Sequence, residues 1–318
     1  MKIKGFEKSG WFIIPVLFFI PVFIQDGYYL GLAINCFIYI ILTLTFMLMM
    51  QIGLLSLGQC AFYGMGAYSC TLLVIKAKLP YWIALPLGAL ITMAIATLIF
   101  IPIIRTKGLF FAIMTLCLSA IVAQIAGTWE SFLGGHTGIV GIPKPSPVGP
   151  IDFSSRVHYY FFCLSLMLIT IIVISRLVKS NFGITSRLIR ENELLARHVG
   201  INPFKYKLMS VSIASFFAGL TGGFYAPYSK YIHPEVSSIW DSLYVQIYGI
   251  TGGLGYPIGG AIVGTVVLKI LPEMMRVVQM YQPMFFGVIL ILVVLFLPNG
   301  LMELPKVFAQ RWFKSRIK

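Results

Sequence analysis

RLVKSNFGITSRLIRENELLARHVGINPFKYK, residues 176–207, is an island of charge between two long apolar runs. It carries seven Lys or Arg and two acids, Glu191 and Glu193. A stretch this charged is unstable in hydrocarbon, so it is a water-facing loop, and its basic excess assigns it to the cytoplasmic side of a membrane. Within it Leu188, Leu195 and Val199 recur at helical spacing, and Glu193 precedes Arg197 by four residues. Gly200 and Pro203 then end the pattern. The spacing predicts a short amphipathic helix on the cytoplasmic face, a surface on which another protein can dock.

Working outward, the chain is 58% hydrophobic and 11% charged, with a mean hydropathy of +0.91. Soluble domains carry about 25% charged residues, so the composition is that of an integral membrane protein. Its length is best divided into spans of about 20 residues. Ten apolar stretches can be drawn: 11–25, 29–50, 59–76, 80–104, 108–128, 158–178, 208–229, 241–255, 256–272 and 280–298. The expected fold is all-α and polytopic, a single transmembrane domain over 1–318, with a cytoplasmic loop at 179–207 and an extracytoplasmic loop at 129–157. That outer loop is rich in glycine and proline and reads as ordered turns. The basic start Met1–Gly10 precedes an apolar run without a small-x-small cleavage site, and is read as a retained first span.

The net charge of +14 follows the same division. Three basic residues precede the first span, two lie at 105–107, seven at 176–207 and five in the C-terminal tail, together 17 of 24. An even number of spans puts these segments and both termini on one side, and the positive-inside rule makes that side cytoplasmic. The five tryptophans, Trp240 among them, fall near span ends, as interfacial residues do. No aromatic-interleaved basic face or groove-reading element supports nucleic-acid binding.

Enzymatic constellations are missing. There is no HExxH, GxxxxGK[ST] or GxSxG, and no loop is long enough for a catalytic domain. No metal-ligand spacing or cofactor motif appears, and the five cysteines read as packing residues. Ionisable groups are scarce in the spans. Asp241 and Lys269 fall near predicted span ends and are expected to reach outward to the interface. That scarcity argues against ion-coupled transport and leaves the energy to another protein.

Two stretches break the spans: QIGLLSLGQ (51–59) and GITGGLGYPIGG (249–260), the latter with six glycines and a proline in twelve residues. Broken helices in a transporter point to the translocation pathway; the alternative is close helix packing through small residues. The candidates are Ser56, Gly58, Gln59, Gly64 and Gly66, with Gly252, Gly253 and Gly255 opposite. Ser56 and Gln59 equally suit a role in satisfying nearby backbone. An LG step followed by a GA step occurs in both stretches, Leu57-Gly58 with Gly66-Ala67 and Leu254-Gly255 with Gly260-Ala261, a hint of internal duplication.

Three blocks resemble the LivM-type permease subunits of branched-chain amino acid ABC importers. They are GLLSLGQCAFYGMGAY (53–68), FGITSRLIRENELLARHVGINPFKYKLMSVSIASFFAGLTGGFYA (182–226) and GITGGLGYPIGGAIVG (249–264), followed by LPNGL (297–301). The second block is the specific one. The chain departs from the family pattern at SVSIAS (210–215) and at Tyr256. The resemblance implies a permease with no chemistry of its own, working by alternating access in a bacterial inner membrane. Its partners would be a LivH-like permease, two cytoplasmic ABC ATPase subunits and an extracytoplasmic binding protein. Arg190, Glu191, Asn192, Glu193 and Arg197 would then form the polar rim of the ATPase contact, Leu194, Leu195 and Val199 its apolar anchor, and Gly200 the turn back to the next span. Leucine, isoleucine and valine are the implied substrates, with urea or short amides as the alternative. A self-sufficient facilitator is the competing class.

Overall fold

The computed structural model describes residues 27–147, 153, 155–274, 284, 287–288, 291 and 300–303. Ten helices carry the architecture: α1 Gly27–Gln51, α2 Gln59–Ile75, α3 Tyr81–Ile103, α4 Leu109–Thr128, α5 Arg156–Lys179, α6 Asn181–Glu191, α7 Glu193–His198, α8 Pro203–Ser229, α9 Ile239–Gly252 and α10 Pro257–Met274. Five of them, α1, α3, α4, α5 and α8, are long and apolar enough to cross a membrane. The stretches around α9 and α10 make a sixth if counted together, bent by 116° at the break between them. The 17-residue α2 is apolar but shorter. Of the ten expected stretches, 11–25 lies outside the described residues, and so does most of 280–298.

Local signals explain the helix starts. Ser155 Oγ accepts from Val157 N–H ahead of α5, and Asn202 Oδ1 accepts from Phe204 and Lys205 N–H ahead of α8. Pro203 then occupies the first turn of α8, where a missing N–H does no harm. That start lies five residues before the expected 208, which brings Lys207 into the helix. The outer loop forms a one-turn helix, Glu130–Leu133, and a short strand β1, Ile139–Val140, which pairs antiparallel with β2, Tyr231–Ile232.

Packing repeats with exchanged partners. α1, the irregular segment 52–58, α2 and α3 follow one another as do α8, the connecting segment 230–238 with β2 and a 3-10 turn at Pro234–Ser237, α9 and α10. α8 packs on α2 and α3, while α1 packs on α9 and α10. The two sets run in opposite directions: the start of α8 lies beside the end of α1, where Ser210 Oγ donates to the Leu48 carbonyl. This is the layout of an inverted repeat. The repeated LG and GA steps do not mark it. They lie at the start of α2 and at the α9–α10 break, whereas the structural counterpart of α2 is α9.

Small residues let these helices meet. A Cβ on Gly66 would run into the backbone of Gly219 in α8, and one on Gly222 would run into the Tyr63 carbonyl of α2. Gly255 faces open space. Gly66→Val should therefore cost about 1–3 kcal/mol or prevent folding, because backbone on the other side cannot yield. Gly255→Ala should leave stability unchanged. Thermal unfolding in detergent checks both, and equal midpoints for the two variants would contradict this packing.

Candidate functional site

The charged segment 176–207, beyond the end of α5, holds two short helices rather than one. Asn192 breaks the pattern with extended backbone (φ −153°, ψ 101°), and its Oδ1 accepts from Leu195 N–H at 3.0 Å to start α7. Asn competes with helix through such local bonds, so the break is written in the residue type. The expected single amphipathic helix is thereby divided. Leu188 lies on α6, half-buried, whereas Leu194, Leu195 and Val199 stand exposed on and just after α7, at 65%, 53% and 64%. Arg190 and Glu191 are exposed at the end of α6. Gly200 turns the chain back with φ 81°.

Glu193 points inward to a cluster of cations. It accepts from Arg197 at 2.7 Å and from Lys207 at 3.0 Å, and Lys107 lies 3.7 Å away. Lys207 is nearly buried, so this network fastens α7 to the first turn of α8 and to the turn between α3 and α4. Partial burial pushes the Glu193 carboxyl up, but the hydrogen bonds and charges of Lys207, Arg197 and Lys107 outweigh it and hold the group below its ordinary range. Glu193 is thus an internal clamp; the outward rim consists of Arg190, Glu191 and Arg197.

The second centre lies where α2 and α9 begin. These helices meet in opposite senses: Cys60 N–H donates to Ser242 Oγ at 3.1 Å, and Gly64 lies directly against Ser237. The irregular 52–58 segment turns back from the end of α1 toward Thr45, whose hydroxyl reaches Gln59 at 3.1 Å. Leu57 N–H donates to Thr115 of α4, and the Ser56 carbonyl accepts from Gln246 of α9 at 2.9 Å. Ser56 and Gln59 are fully buried and bonded within the protein, Ser56 Oγ to Gly58 N–H and Gln59 to Thr45 and Met49. Gly58 lets Thr115 approach, since a Cβ there would lie 2.6 Å from its carbonyl oxygen. Gly252 packs against the backbone of Gly260, and Gly253 takes φ 115° at the α9–α10 break. The structure thus groups Ser56, Gly58, Gln59 and Gly64 around the start of α2. Gly66 lies against α8, and Gly252, Gly253 and Gly255 lie at the other break. Thr45, Thr115, Ser119, Ser242 and Gln246 join the first group. Their signal in the sequence was polarity inside apolar runs, too common to single them out.

Asp241, in the first turn of α9, and Lys269, on α10, meet at one ring of α1. Tyr39, the midpoint of the 25-residue α1, donates from its hydroxyl to Asp241 Oδ1 at 2.7 Å. Lys269 Nζ lies 4.0 Å above the centroid of the same ring. At 1.5 Å per residue Tyr39 is about 18 Å from either described end of α1, so the three groups meet at the middle of that helix. Trp240, next to Asp241, is 70% exposed. Among the described residues no group of His, Cys, Asp or Glu is arranged to hold a metal.

Comparison with known proteins gives a family match over residues 28–296, to the branched-chain amino acid transport system permease component. The chain is 30% identical to the high-affinity branched-chain amino acid transport system permease protein LivM of Salmonella typhimurium, over 86% of this chain and 70% of that protein. It is 30% identical to LivM of Escherichia coli, over 85% and 68%. A probable branched-chain amino acid transport permease protein LivH of Methanocaldococcus jannaschii is 28% identical over 68% and 69%. No solved structure matches significantly.

Because the folded state depresses the Glu193 pKa, the clamp stabilises fully above the ordinary glutamate value, about 4.3, and is lost as pH falls through the lower folded value. Glu193→Gln should abolish it at every pH. Amide hydrogen exchange over 193–201, corrected for intrinsic rate, should be severalfold faster in the variant at pH 7. Native protein should match the variant only in acid. Equal protection at pH 7 would show that packing alone holds α7.

Proposed function

The chain belongs to the family of branched-chain amino acid transport system permease components, and from that premise we propose that it is the membrane subunit of an ATP-driven importer of leucine, isoleucine and valine. The observation that carries the ATP-driven half is the exposed Leu194, Leu195 and Val199 patch on the basic face. Three large apolar side chains beside Arg190, Glu191 and Arg197 have the composition of an anchor with a polar rim. Two cytoplasmic ATPases would seat there, one on this chain and one on a LivH-like partner, with ATP hydrolysis confined to those chains. An extracytoplasmic binding protein would deliver substrate to the outer face.

Both termini would be cytoplasmic in a bacterial inner membrane, with ten passes. On this reading 230–238 with α9 would make one crossing and α10 the return, the bent pair then counting as two. The pathway would run beside the breaks, along Ser56, Gly58, Gln59, Gly64 and Gly66 and past Gly252, Gly253 and Gly255. These positions keep the route narrow and free of bulky side chains, which suits an aliphatic amino acid.

Movement of the docking surface has a direct route to the first break. Gly53, at φ 85°, packs against Arg190, whose Cγ would be 3.4 Å from a Cβ on that glycine. Closure of the ATPases would press α6 on 52–58, and through it on the start of α2.

In vesicles holding the assembled complex, Leu194→Ser with Val199→Ser should abolish ATP-driven leucine uptake and release of the ATPase on washing should increase at least tenfold. Full uptake by that variant, or uptake without ATP, would point to a facilitator. Gly53→Val should leave the ATPases bound and hydrolysing while uptake per ATP falls severalfold. An unchanged ratio would remove 52–58 from the coupling route.

A further inference from the structure

Tyr39 stands at the middle of a helix long and apolar enough to cross a membrane, and Asp241 and Lys269 meet it there. One turn along α1 from Tyr39, Thr43 and Thr265 make the same α1–α10 connection with neutral hydroxyls 3.1 Å apart, both fully buried. A carboxylate at this depth is costly, and ionisable groups held inside membrane proteins mark substrate and ion routes. Asp241 accepts from the Tyr39 hydroxyl and stands in the first turn of α9. Lys269 stands across the Tyr39 ring. Tyr39, Asp241 and Lys269 are all half-buried rather than enclosed, and Trp240 beside Asp241 is exposed. An opposite pair of charges separated by a phenol has the chemistry of a receptor for a zwitterion.

We propose that Asp241 receives the α-ammonium of a translocating amino acid at mid-depth, Tyr39 holds that carboxylate in place, and Lys269 receives the substrate carboxylate. This rests on the importer reading above and adds to it a second selection, after the binding protein. A neutral amide such as urea offers neither charge, so the trio favours amino acids. The aliphatic side chain makes no demand on these groups, which fits one route for leucine, isoleucine and valine.

The test uses the full complex with its binding protein in vesicles, following labelled leucine uptake and ATP hydrolysis together. Asp241→Asn should keep subunit assembly and the hydrolysis stimulated by loaded binding protein, while uptake per ATP falls tenfold or more. Asp241→Glu should restore part of it, and Lys269→Gln should lower it severalfold. Unchanged uptake per ATP in Asp241→Asn would overturn the proposal. Loss of assembly in both Asp241 variants would also overturn it, because Asp241 would then serve the fold or a subunit contact. If only the Asn variant fails to assemble, unchanged uptake per ATP in both Asp241→Glu and Lys269→Gln would overturn the proposal, and a fall in both would support it. Native complex that moves no amino acid, or moves it without ATP, would instead remove the importer reading, before any variant is compared.

Discussion

A helix broken inside a membrane frees backbone groups that no water can satisfy, and the centre of this protein is organised around giving them partners. The 52–58 segment and the start of α2 draw on two helices at once. The Leu57 amide of the segment is held by Thr115 of α4 and its Ser56 carbonyl by Gln246 of α9, and the Cys60 amide just beyond it by Ser242. The buried hydroxyls and amides are in turn satisfied by that backbone, so neither side is stable alone. Two connecting segments placed in opposite repeats therefore become one polar joint between α2, α4 and α9. Its position sets where both short helices begin.

The start of α9 sets which ring its first turn meets. Segment 230–238 holds β2 and a one-turn 3-10 helix, Pro234–Ser237, and it places Asp241 in the first turn of α9 beside Tyr39. The hydrophobic pattern marks where apolar residues begin and does not say which side chain of another helix a charge will meet. The long helices were legible because each is an uninterrupted apolar run with a polar or proline-marked start, as at Asn202-Pro203 and Ser155. The partners of the glycines were not, since a glycine in sequence does not say which backbone comes close.

The charged loop shows the same limit on a smaller scale. Its spacing gave its helical content. The division at Asn192 depends on one side-chain bond, which outcompetes continuation of the helix by local geometry rather than by periodicity. Once the helix divides, its face rotates. Glu193, the middle of the expected polar rim, turns to Lys107 and Lys207, while Leu194 and Leu195 turn outward. The clamp and the exposed patch are two consequences of one break.

That division bears on how force would pass through the proposed complex. A docking helix that merely floated on its loop would absorb the motion of a partner. Here α7 is fixed to α8 by Glu193 and Lys207, and α6 ends against Gly53 with Arg190. Displacement of the pair thus has two outlets, the first turn of a full membrane span and the first residues of the irregular segment. The span is stiffened by its own ladder of hydrogen bonds and by packing on α2 and α3. The segment has only a few turn bonds and borrowed side chains. Of the two, the irregular segment yields more readily, and the polar joint it enters is the place where the two repeats hold each other.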